Sequence, residues 1–178
     1  MVGGTPITEV YVAKGSTNRP IQCDDSRMSE LFLPDPAATD ALGAQLAQTL
    51  PVRAVIHLQG DLGAGKSSLA RALLRGLGVV GTIRSPTYTL VEQYPLPQGG
   101  LALHLDLYRI GNPGELEFLG LDGGEARLWL VEWPERGQGA LPPADLEIAL
   151  AVEGEGRRCR LLPHTACGKA WLDALASG

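Results

Sequence analysis

Residues 54–78 read AVIHLQGDLGAGKSSLARALLRGLG, and no other stretch limits the fold so sharply. An apolar run too short for a helix stops at Gly60, as a buried strand would. From Lys66 the sequence turns helical, with Leu69, Leu73 and Leu77 on one stripe and Arg71 and Arg75 on another face. Between them, Gly60 to Ser67 fits G-x-x-x-x-G-K-[ST] completely. A strand, this octet and a helix in succession are the context expected of a phosphate-binding P-loop.

Each residue type in the octet has a chemical reason. Glycines at 60, 63 and 65 let the backbone turn and bring N–H groups close to oxygen atoms. The positive end of the following helix favours the same anion. Lys66 is a compact charge on a flexible stem, able to lie along β- and γ-phosphates, where an arginine fork is too broad. Ser67 offers a hydroxyl to Mg²⁺, an ion that takes few protein ligands. The sequence thus predicts a nucleoside-triphosphate site with Lys66 as its catalytic cation.

Such a site also needs a carboxylate at a neighbouring strand end. Glu132 closes the apolar run LWLVEW, the pattern of a central strand covered on both faces. An acid there is costly unless a cation meets it, so Glu132 joins Ser67 as the expected metal ligand. Asp106, in the alternating stretch LALHLDLYR, is the candidate for orienting the attacking water or bonding a metal-bound water. The alternative for Asp106 is an ion pair with Arg109. In RSPTYTL, Ser85 and Thr87 flank Pro86 in a loop whose hydroxyls can approach a γ-phosphate. Nucleotide switch segments are ordered by that phosphate and released after hydrolysis, and the alternative here is a polar turn that starts a strand. Trp133 reads as a packing residue.

The rest of the chain supplies a frame. LPDPAATDALGAQLAQTL predicts a helix from Pro36 with Asp35 as N-cap. Strands are expected over 88–94, 101–108 and 127–133, and a helix start at Asn112–Pro113. A late hairpin across EGEG and a terminal helix in GKAWLDALA complete the pattern. Strands alternating with helices predict an α/β, three-layer P-loop NTPase-like sandwich. Its central sheet is expected to be mostly parallel, with a C-terminal antiparallel hairpin. Residues 1–30, with ITEVYVA as their one strand candidate, read as a loosely structured extension, and 31–178 as the ATPase domain.

Bulk properties exclude several classes. In 178 residues, 44% are hydrophobic and the net charge is −5, which argues against a direct grip on RNA. The one dense basic run, GRRCR, reads as a solvated strand face. No apolar run is long enough for a membrane span, and the N-terminus lacks a signal-peptide pattern. Cys23, Cys159 and Cys167 follow no metal spacing, which suits reduced thiols in a cytoplasmic protein. Cys159 and Cys167 are expected to be small buried hydrophobes. Too few residues separate Ser85 from Asp106 for the helical insert of a small-molecule kinase, and no guanine-selecting N-K-x-D is present. An ATPase coupled to a partner's cycle is the reading these features favour, beside a nucleotide-gated assembly module whose hydrolysis is incidental and, behind both, a small-molecule kinase.

GDLGAGKSSL, SPTYTLVEQY, HLDLYR, ELEFLGL, LVEWPERG and LPPADLEI, in this order, resemble the TsaE (YjeE) family over about residues 31–160. The resemblance implies a P-loop ATPase required for threonylcarbamoyladenosine formation in tRNA, working with the TsaB and TsaD proteins and meeting tRNA only indirectly. It implies ATP and Mg²⁺ as cofactors. Gly63, Ala64, Gly65, Lys66, Ser67 and Ser68 match the family's P-loop, with Gly60 and Asp61 opening it. Glu132 matches its metal ligand, Asp106 its functional acid and Thr87 its switch-like threonine. The family's other nucleotide contacts correspond to Asp35–Pro36 with Thr39, and to Gly156–Arg157. Departures are Ser67 where threonine is commoner, Gly114 where glutamate is common, and the N-terminal extension.

Overall fold

A computed structural model describes residues 10–11, 20–24, 28–119, 121 and 124–177. Its first half contains β1 (Val10–Tyr11), β2 (Pro20–Asp24), β3 (Met28–Leu33), α1 (Pro36–Gln48), β4 (Ala54–Gln59) and α2 (Lys66–Gly76). After these come β5 (Val91–Pro95), β6 (Leu101–Asp106), β7 (Ala126–Glu132), β8 (Leu146–Glu153), β9 (Gly156–Pro163) and α3 (Ala166–Ser177). The loose extension expected over 1–30 lies mostly outside the described residues. ITEVYVA is described only at Val10–Tyr11, and β3 begins ahead of the expected boundary at residue 31.

The strands form one sheet in the order β1-β2-β3-β9-β8-β4-β7-β6-β5. Only its centre, β8-β4-β7-β6, is parallel. Every other pairing is antiparallel, which corrects the expectation of a mostly parallel sheet. The cause lies in the connections: residues 96–100 and Gly154–Glu155 are too short for a crossover, so β5–β6 and β8–β9 can only be hairpins.

The sandwich is also lopsided. Leu42 and Leu46 of α1, Leu69 and Leu73 of α2, and Trp171 and Leu175 of α3 all join one cluster with Ile56, Leu58, Leu130 and Ile148 of the sheet. The second cluster, on the other side of β6 and β7, contains no α-helix. Leu103, Leu105 and Val131 there meet Leu116 from a 3-10 segment over Pro113–Leu119. The helix expected at Asn112 is this tighter turn. Its start signal still operates, since Glu115 Oε1 accepts from the Asn112 amide at 3.0 Å and Asn112 Oδ1 from the Gly114 amide at 2.9 Å.

Local chemistry accounts for the other boundaries. Asp35 Oδ1 accepts from the Ala38 amide at 2.8 Å and starts α1, as expected. The strand expected from residue 88 begins instead at Val91, because the Leu90 amide donates to the Pro86 carbonyl at 2.8 Å and closes a turn. Cys159 is buried as expected, and burial pushes its thiol up to about 12. Cys167 is only partly enclosed, with its thiol against the Arg53 carbonyl.

The parallel register decides where chemistry collects. Leu58 of β4 and Asp106 of β6 both stand opposite Glu132 of β7. The carboxyl ends of three strands therefore meet at one level, and the glycine-rich loop leaves β4 there. Open α/β sheets place ligands at this edge.

Candidate nucleotide site

Gly60, Gly63 and Gly65 all have positive φ, of 136°, 80° and 107°. At Gly60 a Cβ would lie 2.2 Å from the Leu150 carbonyl oxygen, so β8 excludes any side chain there. Gly65 is the N-cap of α2, and no side chain caps that end. The first amides of α2 are thus left for an anion, whereas α1 closes its own start with Asp35. From the start of β9, Arg157 Nε donates to the Ala64 carbonyl at 3.0 Å and Nη2 to that of Gly63 at 3.4 Å. The hairpin thereby holds the rim of the loop.

Lys66 is 5% exposed. Its Nζ donates to the carbonyls of Gly60 and Asp61, the latter at 2.9 Å, and lies 3.9 Å from the centre of the Trp133 ring. Burial pushes its pKa down, while Glu132 and then Asp106 pull it back up. An ammonium held this way gains most from an incoming polyanion.

Two acids face this cation. Glu132, 2% exposed, accepts from Ser67 Oγ at 2.8 Å through Oε2 and from His104 Nε2 at 2.8 Å through Oε1. Asp106, 4% exposed, accepts from Thr87 Oγ1 at 2.9 Å and from the Tyr108 amide at 3.0 Å. Ser85 Oγ lies 2.9 Å from Thr87 Oγ1. Because the Thr87 proton goes to the carboxylate, Ser85 is the donor of that second bond. Asp106 forms no pair with Arg109, whose guanidinium sits 4.4 Å from the Tyr88 ring centre.

The donor set fits magnesium. Ser67 and Glu132 present two hard oxygens in mutual contact at the mouth of the loop. Among the described residues no group of three or more His, Cys, Asp or Glu could hold a metal. Two hard oxygens side by side suit an ion which takes its remaining ligands from water and substrate phosphates.

Two adjoining cavities divide the expected contacts. One, of about 370 Å³, is lined by Pro36, Thr39, Arg71, Gly156 and Arg157 among others. The second, of about 240 Å³, holds Lys66, Ser67, Thr87, Asp106, Glu132 and Trp133. Gly65 and Ser68 line both. Gly60, Asp61 and Ala64 line neither; their carbonyls hold Lys66 and Arg157 instead. Sequence reasoning missed His104, although the alternation of β6 places it on the same face as Asp106. It also gave Trp133 a packing role only, and nothing local signals its approach to Lys66.

The family model described as threonylcarbamoyl adenosine biosynthesis protein TsaE matches residues 33–160. The tRNA threonylcarbamoyladenosine biosynthesis protein TsaE of Haemophilus influenzae is 37% identical over 153 residues, covering 82% of this chain and 96% of that protein. Its namesake from Synechocystis sp. is 53% identical over 114 residues, covering 60% and 71%. The crystal structure of Bacillus subtilis YdiB aligns with a TM-score of 0.71 over 84% of this chain and 95% of that one. At 24% identity this last likeness bears on the fold alone. With the family model spanning most of the sheet and the whole loop, the chain belongs to the TsaE family.

Proposed function

We propose that this chain is a Mg²⁺-dependent ATPase that serves threonylcarbamoyladenosine formation in tRNA. In this reading it acts in the cytoplasm with the TsaB–TsaD transferase and meets tRNA only through those partners. The names of its relatives support the pathway. One observation carries the chemistry: Ser67 Oγ and Glu132 Oε2 stand 2.8 Å apart beside the buried Lys66 ammonium. Among the described residues no helix is long and apolar enough to cross a membrane.

The loop and the start of α2 bind the β- and γ-phosphates, and Lys66 turns from its carbonyl partners toward them. Ser67 and Glu132 would hold magnesium, which would supply charge neutralisation for phosphate transfer to water. The Ser85–Thr87–Asp106 chain of hydrogen bonds orients a water in line with the γ-phosphorus. Attack by the water oxygen forms the new P–O bond as the bond from the γ-phosphorus to the β–γ bridging oxygen breaks; ADP leaves with that oxygen, and the water's proton passes to the released phosphate.

The test is binding and turnover of Mg·ATP by the full chain beside Lys66→Ala. The wild type is expected to release phosphate to water, and the variant to lose ATP binding. Unchanged nucleotide affinity in Lys66→Ala defeats the reading. Transfer of the phosphate to a small acceptor would make the chain a kinase.

A further inference from the structure

The wall behind Glu132 holds a side chain to which hydrolysis assigns no task. His104 lies on β6, two residues before Asp106, and is 0% exposed. Its Nε2 stands 2.8 Å from Glu132 Oε1, while Glu132 Oε2 accepts from Ser67. An ionised carboxylate can only accept, so Nε2 carries the proton and donates. On the far side of the ring, Nδ1 is buried with no hydrogen-bond partner among the described residues. An apolar ring would fill the same volume without that bare nitrogen, so packing alone is a poor reason for histidine here. Among the described residues, the one side-chain hydrogen bond of His104 goes to the acid that faces Ser67.

We infer that His104 is a positioning residue for the metal ligand. It ties back one oxygen of Glu132 and leaves the other aimed at the Ser67 hydroxyl and the cation. The inference rests on the proposed reading of this cavity as a site for a nucleotide with a divalent ion. Without the imidazole, one Glu132 oxygen loses its partner and the carboxylate is free to turn from Ser67. Ion affinity then falls. The grip of the loop and Lys66 on phosphate stays, because His104 touches neither.

The experiment compares the wild type with His104→Phe, His104→Gln and His104→Asn in the full chain. Mn²⁺ binding in the presence of ADP is followed by the paramagnetic signal of free Mn²⁺, and ADP affinity in EDTA is measured separately. His104→Phe is expected to weaken Mn²⁺ binding by about 10–100-fold, the usual effect of losing such an outer partner, with ADP affinity in EDTA unchanged. Gln places its amide nitrogen where Nε2 was and restores Mn²⁺ binding; Asn reaches only the position of Nδ1 and does not. Wild-type Mn²⁺ affinity in both the Phe and Asn variants overturns the inference. So does a fall in EDTA affinity that matches the fall in Mn²⁺ affinity, because that is the mark of general damage to the cavity. A wild type that takes up no Mn²⁺ with ADP would instead bring down the reading of the site, and this inference with it.

Discussion

At the scale of single residues, the site depends on acids held in fixed attitudes with little water around them. Both oxygens of Asp106 are engaged, one by Thr87 and one by the Tyr108 amide, so its orientation is set before any substrate arrives. Asp106→Asn keeps the shape and removes the charge. It is expected to leave ATP bound and to slow phosphate release by about a hundredfold or more, the scale of a lost acid–base or water-orienting group. Single-turnover phosphate release measures this, and a wild-type rate would remove Asp106 from the chemistry. Lys66 plays the complementary part. Its ammonium is kept in burial by two carbonyls, an aromatic face and nearby carboxylates, Glu132 foremost.

At the scale of elements, the position of α2 is decided by how closely α1 approaches it. A Cβ on Gly43 would fall 2.5 Å from Ala72 Cβ and 2.7 Å from the Leu73 amide nitrogen. One on Gly76 would fall 2.7 Å from Ala47 Cβ. Gly43→Ala therefore has to push the helices apart, and α2 carries Lys66 and Ser67 in its first turn. Urea unfolding should show a loss of about 1–3 kcal/mol, the usual result of overpacking. ATP affinity should fall with it, whereas unchanged stability would mean that the crossing yields freely.

The same element shows what was legible in the chain. The strand before the loop, the loop and α2 could be read because glycine spacing, Lys66 and a helical stripe coincide locally. The cap at Asp35 and the hairpin across residues 153–156 were readable for the same reason. The polarity of β3 was not, since nothing within it specifies that β9, from the far end of the chain, lies antiparallel beside it. Nor does Gly43 announce its neighbour Ala72. The bond from His104 to Glu132 needs the β6–β7 register, which the two strands show only once paired.

At the scale of the whole molecule, a mixed sheet gathers the candidate site at one edge. Three strand ends bring Glu132, Asp106 and the loop together, and the β8–β9 hairpin reaches across through Arg157 to hold the loop's rim. A protein whose hydrolysis resets a partner should fail over repeated cycles when hydrolysis is blocked. In a tRNA modification assay with the TsaB and TsaD proteins, a non-hydrolysable ATP analogue is expected to allow early turnover and then stall. Sustained cycling with the analogue would favour an assembly module in which hydrolysis is incidental. The most direct measurement is a crystal structure of the full chain with magnesium and that analogue. It should show the β- and γ-phosphates wrapped by residues 60–67 and the ion beside Ser67 and Glu132. An empty loop, or an ion seated away from Glu132, would contradict the account.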